Sequence, residues 1–214
     1  AQPVLVSLRD DDAAREVRVF RKMLRFTALA AFPALFGLTL VAREFIITTI
    51  GAQWAEAVPL LQLLCIGGAF MPFYSLYQNL VISHGRSDIN MWLNVSQIAL
   101  QIALIFLFSK QGIINIVAAY SAFNILWLLM WQWYARKLTQ LRFRDVLKDL
   151  CPFMLLAAIT MVVVYFATRF ITILPLLLAV RIVLAALLYV GALKVLHAKI
   201  YEECWQFVKS KFKS

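Results

Sequence analysis

The sequence predicts an all-α protein, a polytopic bundle of about six transmembrane helices. Composition, the length of the apolar runs and the placement of the basic residues carry the prediction. Apolar residues fill 63% of the 214 positions and charged residues 15%, against about 45–50% and about 25% in soluble domains. A soluble domain of this size could not hide that much hydrocarbon, because a large share of its surface faces water. A bilayer lets the outer face be as apolar as the core.

Six runs come close to the roughly 20 apolar residues that a helix needs to cross the hydrocarbon. They cover residues 26–42, 58–83, 91–108, 113–134, 152–168 and 174–196. Polar residues gather between them, as in His84, Gly85, Arg86, Ser87 and Asp88, or Ser109, Lys110, Gln111 and Gly112. None alternates apolar with polar as a barrel strand must. A helix satisfies every backbone group within lipid. Residues 1–25 read as an amphipathic lead-in on the cytoplasmic side. Residues 135–151 read as an interfacial linker that lies on the cytoplasmic surface through Leu138, Leu141, Val146, Leu147 and Leu150. Residues 197–214 read as a basic amphipathic tail with Tyr201, Trp205, Val208 and Phe212 at helical spacing.

The net charge of +10 is compatible with nucleic-acid binding, but the placement of the charges points to topology and no nucleic-acid partner is expected. Arg9, Arg15, Arg18, Arg21, Lys22 and Arg25 precede the first span, and Arg86 follows the second. Arg136, Lys137, Arg142, Arg144 and Lys148 follow the fourth. Lys194, Lys199, Lys209, Lys211 and Lys213 close the chain. The opposite loops hold Arg43, Lys110 and Arg169. Basic residues concentrate on the cytoplasmic side, so both ends of the chain are expected there. Trp54, Trp131 and Trp133 fall near span ends, where an interfacial aromatic belt would place them.

No catalytic constellation appears, and we expect no enzyme. Cys65, Cys151 and Cys204 are isolated, with neither redox nor metal-ligand spacing. His84 and His197 sit at helix ends. There is no glycine-rich phosphate loop and no nucleophile motif. The 11 acidic residues all read as lying outside the spans, which leaves no paired carboxylates for acid–base chemistry. No metal or cofactor is expected.

Polar residues at membrane depth need a reason. Asn90, Asn94, Gln97 and Gln101 recur at steps of four, three and four, which at about 100° per residue is one stripe along the third span. The stripe either lines a hydrophilic cavity or hydrogen-bonds to neighbouring helices as packing. Gln78 and Asn79 in the second span, and Ser121 and Asn124 in the fourth, could share the cavity. Arg181 lies about 10 Å along the last span. It either snorkels to the outer interface or faces the interior as a site for an anion, with no intramembrane acid to neutralise it. Pro33 and Pro72, with Pro152 and Pro175 at span starts, interrupt the backbone ladder, and Pro72 after Gly67 and Gly68 permits a kink.

The opening Gln2-Pro3-Val4-Leu5-Val6-Ser7-Leu8 leads to Asp10-Asp11-Asp12. Arg21-Lys22-Met23-Leu24-Arg25 precedes Phe32-Pro33-Ala34-Leu35-Phe36-Gly37. Ile50-Gly51-Ala52-Gln53-Trp54 precedes Ala57-Val58-Pro59-Leu60-Leu61, and Asn79-Leu80 leads to His84-Gly85-Arg86. In this order the stretches resemble bacterial polysaccharide flippases, the oligosaccharidyl-lipid transporters of the superfamily that includes multidrug and toxin extruders. The motifs cover residues 1–135; the last two spans match by hydrophobic pattern alone. The resemblance implies one lobe of a two-lobed transporter that flips undecaprenyl-diphosphate-linked oligosaccharide across the inner membrane by alternating access, as lipopolysaccharide and O-antigen biosynthesis require. It also implies that the chain is a fragment lacking the N-terminal lobe, with that lobe, the lipid-linked sugar and membrane lipid as partners. Asn94, Gln97, Gln101 and Arg181 are then candidates for sugar and diphosphate contacts, by burial rather than by motif. A drug or lipid-precursor exporter of the same superfamily, or a scaffold subunit that transports nothing, are the alternatives; a drug exporter would favour acidic residues within the spans.

Overall fold

In the computed structural model, residues 2–139, 141–171 and 173–195 are described, with side chains from Ala14 onward. Among them there is no strand. The chain is a helical membrane bundle. Its helices are α1 (Gln2–Thr49), α2 (Val58–Gly68), α3 (Met71–Ser83), α4 (Ser87–Phe108), α5 (Ile113–Thr139), α6 (Phe143–Ala167) and α7 (Leu174–Val195). A 3₁₀ turn over Ala52–Ala57 joins α1 to α2, and another over Ser109–Gln111 joins α4 to α5. With α2 and α3 taken as one broken span, six segments are long and apolar enough to cross a membrane.

The helices run past the expected span ends. α1 continues through Arg43 and Glu44 to Thr49, because Phe45, Ile46 and Ile47 resume the apolar pattern. Arg43 and Glu44 therefore lie on a helix, not in a loop. α5 extends to Thr139 and α6 begins at Phe143, so residues 135–139 and 143–151 are the ends of two spans. Leu141, Val146 and Leu150 are buried in the core rather than laid on a membrane surface; Leu147 is exposed. The tail over residues 197–214, with Tyr201, Trp205, Val208, Phe212, His197 and Cys204, lies outside the described residues.

The second span breaks at Ala69 and Phe70, just after Gly67 and Gly68. Pro72 sits at the start of α3 and has no N–H to continue the ladder. The break is bridged by Ala69 N–H to the Cys65 carbonyl and Phe70 N–H to the Gly67 carbonyl, at 3.0 and 3.2 Å. Gly67 also sets the crossing with α5: a Cβ there would stand 2.8 Å from Ser121 Cβ. Small residues allow such close approach of spans, and the Ser121 hydroxyl donates to the Leu63 carbonyl at 3.1 Å.

The main core joins α1, α3, α5 and α6 through Leu24, Phe32, Phe73, Tyr77, Trp131 and Phe153. Phe32 packs on Phe36, Phe70 and Phe73 with ring centroids 5.5–5.7 Å apart. Trp131 is fully buried here, not in an interfacial belt; Trp54 and Trp133 are exposed. Helix α4 stands at the periphery, with Leu93 its one buried residue. Cys65 and Cys151 are free thiols, buried and half-buried.

Candidate functional site

The polar residues of the spans sort into three layers along the bundle. The first joins the start of α6 to α1 and α3 to α5. Asp149, on α6 and buried, accepts from Arg21 Nε at 2.6 Å and Nη2 at 3.2 Å. Arg25 Nε lies 3.0 Å from Oδ1 of the same carboxylate, the oxygen that also accepts from Arg21 Nη2. Two guanidinium groups thus share one carboxylate, with Arg21 and Arg25 still partly exposed. Beside them the Tyr77 hydroxyl donates to Gln132 Oε1 at 2.6 Å, and Gln132 Nε2 donates to the Leu141 carbonyl at 3.0 Å. That chain secures the turn between α5 and α6.

The second layer is the amide stripe of α4. Gln97 and Gln101 both donate through Nε2 to the side-chain oxygen of Asn124 on α5, each at 3.0 Å. Asn124 is buried; its own amide donates to the Tyr120 carbonyl at 2.9 Å, and its backbone carbonyl accepts from the Tyr74 hydroxyl of α3. One turn down the stripe, Gln78 of α3 donates to Asn94 Oδ1 at 3.1 Å, and Asn94 donates to the Asn90 carbonyl and Oδ1 at 2.7 and 3.1 Å. The structure therefore brings Asn90, Asn94, Gln97, Gln101, Gln78 and Asn124 onto one seam between α3, α4 and α5, in two hydrogen-bonded groups. Asn79 is not part of it. Its side chain is exposed and borders a groove of about 460 Å³ between α1 and α3, whose rim carries Arg15, Glu16 and Ser83. Near it, His84 Nε2 lies 3.4 Å from Glu16.

The third layer lies at the opposite end from the first and holds Arg181. Arg181 is 5% exposed, and its guanidinium pairs with Glu44 of α1, Nη1 to Oε1 at 2.9 Å. Nε donates to the Thr168 hydroxyl at the end of α6 at 3.0 Å, and Nη1 to the Leu40 carbonyl at 3.3 Å. The Tyr165 ring lies 5.4 Å from the guanidinium carbon. This corrects the expectation that no acid within the spans could neutralise Arg181. Glu44 does so, itself 5% exposed, and Arg181 is held in the bundle rather than reaching out to the interface. An intramembrane acid is present after all, although it is already paired. Next to the pair, a groove of about 640 Å³ runs between α1 and α7, floored by Ala34, Gly37, Ile182 and Ala185 and ending at Arg181.

Sequence reasoning missed Glu44, Thr168, Tyr74 and Asp149. Two signals were there to be read. The apolar run Phe45-Ile46-Ile47 after Glu44 marks the span as unfinished, and Asp149 stands next to the fifth span at helical spacing from Asp145. Among the described residues, no group of three or more His, Cys, Asp or Glu is placed to hold a metal ion.

Residues 1–59 match the model of a family described as polysaccharide biosynthesis protein. Three curated proteins are similar. An uncharacterized membrane protein in the cps region of Klebsiella pneumoniae is 30% identical over 104 residues, 49% of this chain and 21% of that protein. The lipopolysaccharide biosynthesis protein WzxC of Escherichia coli is 32% identical over 93 residues, 44% of this chain and 19% of the relative. The teichuronic acid biosynthesis protein TuaB of Bacillus subtilis is 27% identical over 144 residues, 65% of this chain and 29% of its own length. The matched stretch is thus between 19% and 29% of the length of these relatives. No solved structure matches. The chain thus resembles proteins of polysaccharide biosynthesis, one of them described as a membrane protein.

Proposed function

We propose that these six spans form one lobe of a transporter that moves a lipid-linked oligosaccharide across the bacterial inner membrane. The observation that carries the reading is the similarity to proteins named for lipopolysaccharide and teichuronic acid biosynthesis, found on an apolar helical bundle. In this reading both ends of the chain face the cytoplasm, so the Asp149 layer is the inner one and the Arg181 layer the outer one. A second lobe of the same transporter completes the cavity. The chain acts as a transporter rather than an enzyme.

The polar layers fit this task. In the conformation described here the amide seam holds α4 against α3 and α5. Alternating access requires helices to part, and a parted seam offers Asn90, Asn94, Gln97, Gln101, Gln78 and Asn124 to sugar hydroxyls. Each amide has both donors and an acceptor, which is the chemistry a polyhydroxylated ligand needs. Asn79, exposed at the inner groove, offers the same groups without any rearrangement. A drug exporter is less well supported, since Glu44 is occupied by Arg181 and is not free to take a cationic drug.

Cysteine accessibility tests this. Single cysteines at positions 79, 94, 97 and 101, in inner-membrane vesicles, are treated with a charged thiol reagent from each side. The reading expects labelling along the stripe that lipid-linked oligosaccharide suppresses. Unreactive seam positions, with the same reagent labelling position 79, would leave a static packing seam and overturn it.

A further inference from the structure

We infer that His84 and Glu16 form a proton-dependent clasp across the end of the groove between α1 and α3. That groove has an apolar floor of Phe20, Met23 and Leu76, with Asn79 on its wall and Glu16 and Ser83 at its rim. His84 follows Ser83, and its Nε2 lies 3.4 Å from Glu16 Oε2. The side chains of α1 and of the turn after α3 thus meet about one helical turn beyond Asn79. The backbone holds the ring in place whatever its charge, because α3 ends in a Schellman turn. Gly85, at φ +70°, donates its N–H to the Ile82 carbonyl at 2.9 Å, and the Arg86 N–H reaches the Val81 carbonyl at 3.2 Å. Glycine adopts that left-handed conformation without strain.

Both neighbours of the ring are acceptors. His84 Nδ1 stands 2.9 Å from the Leu80 carbonyl, and Nε2 faces the carboxylate. A neutral imidazole has one N–H and serves one of them; the imidazolium has two and serves both. Losing the proton sets a ring lone pair against one acceptor or the other and removes the charge that faces Glu16. α3 packs on α1, α4 and α5. At this end those elements carry Arg15 and Arg18, Arg86 with Asp88, and Arg136 with Lys137. Arg86 is bound to Asp88 at 3.2 and 3.3 Å, and Lys137 lies over the Trp133 ring at 3.4 Å; Arg15, Arg18 and Arg136 are exposed. Among the described residues, the acid that the ring meets is Glu16. The two side chains are 26% and 38% exposed, so the contact is weak enough to be made and broken reversibly. Histidine changes charge between about pH 5 and pH 8. The added contact belongs to the protonated ring, so the clasp holds on the acid side of that range and loosens as pH rises. In the transport reading this end of the groove faces the cytoplasm, and the clasp sets the width of the groove beside Asn79. That consequence rests on the reading; the clasp itself does not.

Spin labels on Val19→Cys and Asn79→Cys, on opposite walls of the groove, report its width by dipolar broadening. They are placed in the 214-residue chain, in lipid nanodiscs, with Cys65, Cys151 and Cys204 changed to serine. Raising the pH from about 5.5 to about 8 is expected to lengthen their separation by more than about 2 Å, the scale of a rearrangement rather than a side-chain adjustment. His84→Phe keeps a ring without its nitrogens and is expected to show the long separation at both pH values. Glu16→Gln removes the charge at the other end, with the same expected outcome, and stands in if His84→Phe does not fold. His84→Lys carries its charge across the whole range and is expected to hold the short separation throughout. A wild-type separation that ignores pH overturns the proposal. So does a folded His84→Phe or Glu16→Gln that responds as the wild type does. If the separation ignores pH while oligosaccharide still protects the seam cysteines, the clasp falls alone. If it responds and the seam is never labelled, the transport reading falls alone.

Discussion

The two sides of the bundle are held together by different chemistry. Around α1, α6 and α7 the polar contacts are charged: Arg21 and Arg25 on Asp149 at one end, Arg181 on Glu44 at the other. Around α3, α4 and α5 they are neutral, a chain of amides and hydroxyls centred on Asn124. Buried ion pairs are rigid in a particular sense, since removing one partner strands the other in low dielectric. Neutral interhelical bonds in membranes are worth less, about 0.6 kcal/mol on average, and their loss leaves groups that rotate to find other partners. The charged side fixes where α1 stands relative to the α6–α7 pair. The amide side allows α4 to be detached at modest cost, which suits the helix with a single buried residue.

The sharpest way to break this contrast is Arg181→Ala. It leaves Glu44 buried and unpaired, so unfolding in a detergent denaturation series is expected to become easier by about 3–5 kcal/mol. The apolar double exchange Glu44→Leu with Arg181→Leu is expected to recover most of that loss; if it does not, the pair is more than a mutual neutralisation. Asp149→Asn comes next. Its two arginines are partly open to solvent, so screening reduces the effect to about 2 kcal/mol.

On the other side, Gly67→Val drives two methyl groups into Ser121, and overpacking of this kind costs about 1–3 kcal/mol. The same melts would show it, with Gly68→Ala as the control, because a Cβ at Gly68 meets nothing closer than Leu35 at 3.7 Å. Asn124→Leu removes the shared acceptor of Gln97 and Gln101 and is expected to cost about 1–2 kcal/mol. Gln101→Leu alone is the smallest effect, about 0.6 kcal/mol. An Asn124→Leu loss as large as that of Arg181→Ala would erase the distinction between the two sides.

Much of this arrangement was legible in the residues, and the exceptions have a common cause. The six apolar runs were visible because lipid demands a continuous stretch. The stripe was visible because Asn90, Asn94, Gln97 and Gln101 repeat at the helical period. What the sequence hid were partners distant along the chain. Glu44 looks like a loop acid until Arg181 is brought against it across 137 positions, on a first span that runs about two turns longer than its apolar run suggests. Asp149 looks like part of a surface linker until Arg21 and Arg25 close on it. Tyr74 and Thr168 carry no periodic signal, since a lone hydroxyl in an apolar run fits packing and function equally well. Trp131 and Trp133 lie two residues apart near one span end, yet one is fully buried and the other exposed, because the helix turns about 200° between them.

The interruption at Ala69 and Phe70 gives the second span a joint. One strut, α2, leans on α1 and α5, with Gly67 wedged at Ser121. The other strut, α3, carries Tyr74, Tyr77 and Gln78, the three side chains that reach Asn124, Gln132 and Asn94. Flexing the joint would therefore pull on the amide seam and on the α5–α6 turn together while leaving the wedge in place. An elbow placed there would carry a bend in one helix to the half of the bundle that is held by neutral hydrogen bonds.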